Sequence, residues 1–97
     1  MCGIAGYLQK PGQASLSHHM AQAIACLNKR GPDTQRIQQP SANVWLAHAR
    51  LSIIDTSSIA HQPMVDATDR YTIVFNGEIF NYRKLAAEHL QGQIFKS

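Results

Sequence analysis

The sequence predicts an α+β domain in which short strands and two helices are crowded into one small chain. Three observations carry this. Apolar runs of strand length occur at residues 3–8, 44–49 and 71–76, apolar positions recur at helical spacing over residues 16–29 and 82–89, and Gly, Pro, Asp and Ser clusters punctuate the intervals. The 97 residues make one domain at most, enough for a modest core without disulfides or metals. With 44% hydrophobic and 15% charged residues, four prolines and six glycines, the composition is that of an ordinary globular protein and excludes a disordered one.

Residues 3–8 read as a buried strand that ends in the turn Lys10-Pro11-Gly12. A helix is expected from about residue 16 to about residue 29, with Ser15 or Ser17 as N-cap and Met20, Ala23, Ile24 and Leu27 on one face. Gly31-Pro32 stops it. Residues 35–43 read as an irregular polar connection or an edge strand, and residues 44–49 as a strand. Leu51-Ser52-Ile53-Ile54 is a second short extended run, closed by Asp55-Thr56-Ser57-Ser58. Residues 71–76 alternate like a strand, and Val74 makes that strand apolar on both faces, which predicts burial. The last helix spans about residues 82–89, with Asn81 as cap and Leu85, Ala86 and Leu90 facing inward. Residues 93–96 look like the start of another strand, so the chain is expected to be the front part of a larger domain.

Charge and cysteine usage exclude several classes. The net charge of +3 comes from nine Lys and Arg against six acids, but only Lys29-Arg30 and Arg83-Lys84 are adjacent. That is too diffuse for a phosphate-binding stripe, so no nucleic-acid partner is expected. The apolar start has no cationic flank and is too short for a signal sequence or a membrane span. Two cysteines without an export signal point to a reducing cytoplasm. His18-His19 lacks partners at metal-ligand spacing and reads as a solvated pair, so no metal is expected. His48 could orient the neighbouring loop, although a satisfied structural histidine is the more ordinary reading, and Cys26, Trp45 and Phe75 read as core.

Four constellations bear on chemistry. Cys2 stands directly behind Met1, and removal of Met1 would leave a residue that carries both a thiol and a free α-amine. Such an amine is partly neutral at pH 7 and can take the thiol proton. For an isolated Cys near a terminus, a buried structural thiol is the more ordinary reading. Arg30-Gly31-Pro32-Asp33 is accounted for by a helix stop, with Arg30 on the last carbonyls. Arg50 interrupts two apolar runs and must find a carboxylate, either internal or from a ligand that its planar fork would bind in bidentate fashion. Asn76-Gly77-Glu78 at a strand end is a turn signal, yet an amide beside a glycine N–H also makes a donor pair for an oxyanion, and Glu78 could bind an ammonium. Taken together, Arg50 for an α-carboxylate, Glu78 for an α-amine, Asn76 and Gly77 for an amide oxygen and Cys2 for attack describe a site for glutamine.

These motifs, with His61-Gln62-Pro63-Met64 and Phe75-Asn76-Gly77-Glu78-Ile79-Phe80-Asn81-Tyr82, resemble the N-terminal glutaminase domain of glutamine-hydrolysing asparagine synthetases. The likeness covers nearly the whole chain, in the family order. Arg30-Gly31-Pro32-Asp33 and Arg50-Leu51-Ser52-Ile53-Ile54-Asp55 are similar to that branch of the class II glutamine amidotransferases rather than to the branches that form glucosamine phosphate or phosphoribosylamine.

The resemblance implies an N-terminal-nucleophile hydrolase fold, an αββα sandwich of antiparallel sheets between helical layers, incomplete here. It implies Cys2 as nucleophile, Asn76 and the Gly77 N–H as oxyanion donors, glutamine contacts along Arg50, Leu51, Ser52, Ile53 and Ile54 with Arg50 as carboxylate anchor, and Glu78 at the amino group. It also implies a C-terminal synthetase domain that uses ATP and magnesium to convert aspartate to asparagine. Residues 1–97 would be the N-terminal part of the glutaminase domain, with the synthetase domain absent and no glycine-rich phosphate loop of their own. Two other classes carry the same motifs: an amidotransferase that feeds ammonia to a different acceptor, and a catalytically inert fragment or interaction module.

Overall fold

The computed structural model describes residues 2–15, 17–51 and 60–93. Strand β1, Gly3–Leu8, matches the first apolar run. A 3-10 turn at Ser17–His19 leads into α1, Met20–Ala25. Strands β2, Thr34–Ser41, and β3, Val44–Arg50, follow as a hairpin. The three strands form one antiparallel sheet in the order β1-β3-β2. The polar stretch is therefore an edge strand, and Pro40 sits where the register slips between Gln38 and Ser41, a position that needs no ladder donor. A two-stranded antiparallel ribbon, β4 Met64–Val65 with β5 Thr72–Ile73, and helix α2, Tyr82–His89, complete the described elements.

The core lies on one face of β3. Ala47 and Ala49 are fully buried there beneath Met20 and Ile24 of α1, with Ala5, Tyr7, Leu27 and Trp45 packed around them. Tyr7 and Trp45 are register partners whose rings lie 5.3 Å apart. Small side chains on the sheet let the helical segment approach closely. A Cβ on Gly3 would come within 3.0 Å of the Leu27 side chain. At Gly31 the fit is tighter, since a Cβ would fall 2.1 Å from the carbonyl of Ala49 and 2.5 Å from the nitrogen of Arg50. Gly31 is thus more than a helix stop. It is where the returning chain lies directly on the β3 backbone, and Asp33 N–H then donates to the Arg50 carbonyl at 2.9 Å.

Several expectations are corrected. The predicted helix over 16–29 is α-helical only from Met20 to Ala25. Beyond it the chain tightens into i→i−3 bonds, Leu27 to Ile24, Asn28 to Ala25 and Arg30 to Leu27, at 3.0–3.1 Å, which carry it in toward β3. Ser15 accepts the Ser17 N–H at 3.2 Å and so caps the 3-10 turn, whereas α1 has no side-chain cap. Ala23 and Cys26 are exposed rather than in the core, since α1 buries only Met20 and Ile24. Of residues 71–76 only Thr72 and Ile73 pair as strand, and Tyr71, Ile73 and Phe75 are exposed because no described element covers them. Helix α2 has the expected bounds, but none of its residues is buried, Leu85 and Leu90 are exposed, and Asn81 makes no side-chain cap bond. The runs expected at 52–54 and 94–96 lie outside the described residues.

Replacement of Gly31 by Ala forces backbone apart rather than a flexible side-chain tip. Gly31→Ala is expected to destabilise the protein by at least the roughly 1–3 kcal/mol typical of core overpacking. The urea unfolding midpoint is the measurement, and an unchanged midpoint would refute the close approach.

Candidate active site

The face of β3 opposite the core carries His48 and Arg50, since strand side chains alternate. Both are buried, His48 to 2% exposure and Arg50 to 6%. The register sets Ile4 of β1 and Arg36 of β2 on either side of His48, and Thr34 beside Arg50. Cys2 precedes Gly3, the partner of Ala49, so strand parity puts Cys2 on the same face as Ile4, level with Arg50. The Thr34 hydroxyl in turn meets the His61 ring Nε2 at 3.3 Å.

Cys2 is half-buried and held from two sides. The Leu51 N–H donates to its Sγ at 3.3 Å, and the thiol lies 3.6 Å from the Leu51 carbonyl oxygen. The Arg30 guanidinium donates through Nε to the Cys2 carbonyl at 3.2 Å. Arg30 was read as bonding the end of its own helix, and the structure gives it this partner 28 residues away instead. No local pattern signals such a contact. Its nearest sequence cue is the position of Arg30 directly before Gly31, the residue that brings the chain onto β3.

Asn76, Gly77 and Glu78 lie in an exposed, irregular segment after β5. Among the described residues, two hydrogen bonds tether that segment, and both are made by Phe75. Its N–H donates to Gln62 Oε1 at 2.6 Å, and its carbonyl meets His48 Nε2 at 3.3 Å. The Phe75 ring also packs on Gly77, where a Cβ would come within 3.0 Å of it. Phe75 is therefore a tether for the segment rather than the core residue the sequence suggested. The structure brings Cys2, Arg50 and Leu51 together. The Asn76–Glu78 segment is joined to them through His48 and Phe75, and the described contacts of Cys2 are with Leu51 and Arg30, not with these residues. Ser52, Ile53 and Ile54 lie outside the described residues. Gln62 and His48 are site-supporting residues that sequence reasoning did not assign.

A carbonyl oxygen can only accept, so His48 carries its proton on Nε2 when neutral. Nδ1 is then a buried lone pair, with no hydrogen-bond partner among the described residues. Burial holds the His48 pKa below its ordinary value, the bond to Phe75 opposes this, and the nearby Arg50 charge adds to the lowering. His18 and His19 are exposed, with ring centroids 4.0 Å apart, and the described residues contain no group of three or more ligands for a metal ion. No described helix is long and apolar enough to cross a membrane.

Over residues 1–97 the chain matches the glutamine amidotransferase domain family. It is 39% identical over 89 residues to a probable glutamine-hydrolyzing asparagine synthetase of Acanthamoeba polyphaga mimivirus, which covers 89% of this chain and 16% of that protein. Asparagine synthetase B (glutamine-hydrolyzing) of Escherichia coli strain K12 is 36% identical over 90 residues, 92% of this chain and 16% of that protein. Amidase chry2 of Gibberella zeae is 30% identical over 99 residues, 91% of this chain and 15% of that protein. The chain thus spans about one-sixth of the length of these relatives.

A lowered His48 pKa gives a signed prediction. The unfolded chain takes up a proton near pH 6.5, before the folded one does, so the stability from neutral His48 is fully present above that pH. It is lost as the pH falls from there through the lower folded value. The fall in urea midpoint between pH 7.5 and pH 5 is expected to be smaller in His48→Gln than in the unmodified protein.

Proposed function

Because the chain belongs to the glutamine amidotransferase domain family, we propose that it hydrolyses glutamine to glutamate and ammonia with Cys2 as nucleophile once Met1 is removed. The observation that carries this reading is the seat of the Cys2 sulfur, on the Leu51 N–H and beside the buried Arg50. A thiol at the start of an edge strand needs no such contact to be structural.

The chemistry follows from the groups. The α-amine freed at Cys2 takes the thiol proton, and the thiolate attacks the carboxamide carbon of glutamine. Arg30 holds the Cys2 carbonyl, which limits where that amine can sit. The tetrahedral oxyanion accepts from the Asn76 side-chain amide and the Gly77 N–H, an interaction worth about 3 to 4 kcal/mol per donor in the transition state. The α-ammonium returns its proton to the departing nitrogen and ammonia leaves. Water then cleaves the thioester and releases glutamate. Arg50 pairs with the substrate α-carboxylate, Glu78 takes its α-ammonium, and Leu51 borders the substrate.

We assign the ammonia to ATP- and magnesium-dependent conversion of aspartate to asparagine, by a synthetase domain of the complete protein. The names of the two synthetase relatives support this assignment, as does the one-sixth share of their length that the chain spans. A reducing cytoplasm suits a mechanism that needs a free thiol, and both cysteines are unpaired. A second reading, delivery of ammonia to a different acceptor, draws on the relative named an amidase rather than a synthetase.

Ammonia release from glutamine by the intact protein is expected to fall to background in Cys2→Ala, with the mass of the N-terminal peptide showing Met1 removed. Release that is indifferent to Cys2→Ala would sink the enzyme reading. Arg50→Ala is expected to weaken glutamine binding by about 2 to 4 kcal/mol, and unchanged affinity in a calorimetric titration would remove Arg50 from the site. Asparagine formed from aspartate, ATP and magnesium separates the two acceptor readings.

A further inference from the structure

We propose that His48 is a positioning residue for glutamine hydrolysis, holding the Phe75 carbonyl against β3 and so fixing Asn76 and Gly77 relative to Cys2. The inference rests on the preceding reading of Cys2 and of the Asn76–Gly77 donor pair. Its own basis is geometric. His48 is the largest fully buried side chain among the described residues, and it sits on the central strand of the sheet. Its register partner Ile4 is two residues from Cys2, so along the extended β1 backbone the imidazole stands about 7 Å from the level of the nucleophile. From that fixed point Nε2 reaches the Phe75 carbonyl at 3.3 Å.

That carbonyl belongs to the same planar peptide as the Asn76 N–H. To hold it is to hold the backbone on which the first oxyanion donor is mounted. Gln62 grips the other side of Phe75, at its N–H, so the residue before Asn76 is held at both of its backbone polar groups. Asn76, Gly77 and Glu78 themselves are exposed and make no hydrogen bond to the sheet among the described residues. Their placement is therefore inherited from Phe75. A packing role alone accounts poorly for the choice of side chain, because histidine here strands a buried Nδ1 lone pair that leucine, of similar volume, would not. The histidine contributes what leucine lacks, a ring N–H aimed at the carbonyl.

The test compares the intact protein with His48→Leu and His48→Gln. In His48→Leu, kcat for glutamine hydrolysis is expected to fall on the order of 10²-fold, the size of effect a misplaced reacting group produces. The rate of Cys2 alkylation by iodoacetamide should stay within about threefold, because Cys2 does not hang on this bond, whereas KM for glutamine should rise with the displacement of Glu78. His48→Gln has an amide N–H the same number of bonds from the backbone as Nε2 and should recover at least about tenfold of the loss. Wild-type kcat in folded His48→Leu would overturn the proposal, and so would a folded His48→Gln no better than His48→Leu. If His48→Leu does not fold, the ring nitrogen-15 shifts of the unmodified protein decide. A proton on Nε2 at pH 7.5 supports the anchor, and a proton on Nδ1 refutes it. Cys2→Ala, assayed alongside, separates the two claims: hydrolysis that survives it removes the nucleophile itself, whereas hydrolysis lost with Cys2→Ala but unchanged in His48→Leu removes only the anchor.

Discussion

Strand β3 is buried on both faces, and its two faces need opposite things. Toward α1 it presents Ala47 and Ala49, whose small side chains let Met20 and Ile24 close down on the sheet. On the other face it presents His48 and Arg50, polar groups that are costly to bury unless they are satisfied or used. The strand can meet both demands because its backbone is paired along its length by β1 and β2, so neither face has to supply backbone partners. At its C-terminal end the pairing is extended by Asp33 and the approach is completed by Gly31, which lies on the peptide between Ala49 and Arg50. The same stretch of chain sends Arg30 to the Cys2 carbonyl. One constraint, close backbone contact at the end of β3, thus fixes both the core and the residues around Cys2.

The sequence was most legible where local pattern and tertiary surroundings agree. Residues 3–8 and 44–49 emerge as strands β1 and β3, the latter one residue longer, and α2 has the bounds its periodicity suggested. The polar stretch after Asp33 was open between loop and edge strand, and the hairpin partner β3 decides for the strand. Failures fall where periodicity was taken for burial. An apolar pattern at 71–76 or on α2 reports a capacity to be covered, while burial also needs an opposing surface, and the described residues provide none for Tyr71, Ile73, Leu85 or Leu90. Cys26 is exposed for a different reason: it follows Ile24 by two residues, which on a helix places it on the opposite face. Cys2 and Arg50 were nominated as candidate site residues from residue chemistry alone. Arg30, Gln62 and the tether at Phe75 were not, since each is a contact between residues at least 13 apart, which no spacing rule encodes.

Electrostatically, the site face is arranged around cations whose neighbours are kept neutral. Arg50 brings a guanidinium to this face, and Arg36 lies beside His48 on β2. A protonated imidazole between them would add a third positive charge in a buried place. Burial and the Arg50 charge both push His48 toward the neutral form. A neutral ring is asymmetric, donating on one side and accepting on the other, and the Phe75 carbonyl selects which. The Arg50 charge thus helps keep the ring uncharged, while the Phe75 carbonyl alone sets which nitrogen donates.

Oxyanion stabilisation in general depends on donors already in place when charge develops, rather than on donors recruited during the step. Asn76 and Gly77 are carried on an exposed segment, which by itself would be the part of the site most expensive to order. Two bonds to the backbone of Phe75 shift that ordering onto the fold, one from a buried ring on the central strand and one from Gln62. The remaining freedom lies within the Asn76-Gly77 dipeptide, where the Phe75 ring packed over Gly77 restricts it further. Under the proposed function, binding energy from a substrate would then be free to act on its orientation, instead of being consumed in ordering this segment.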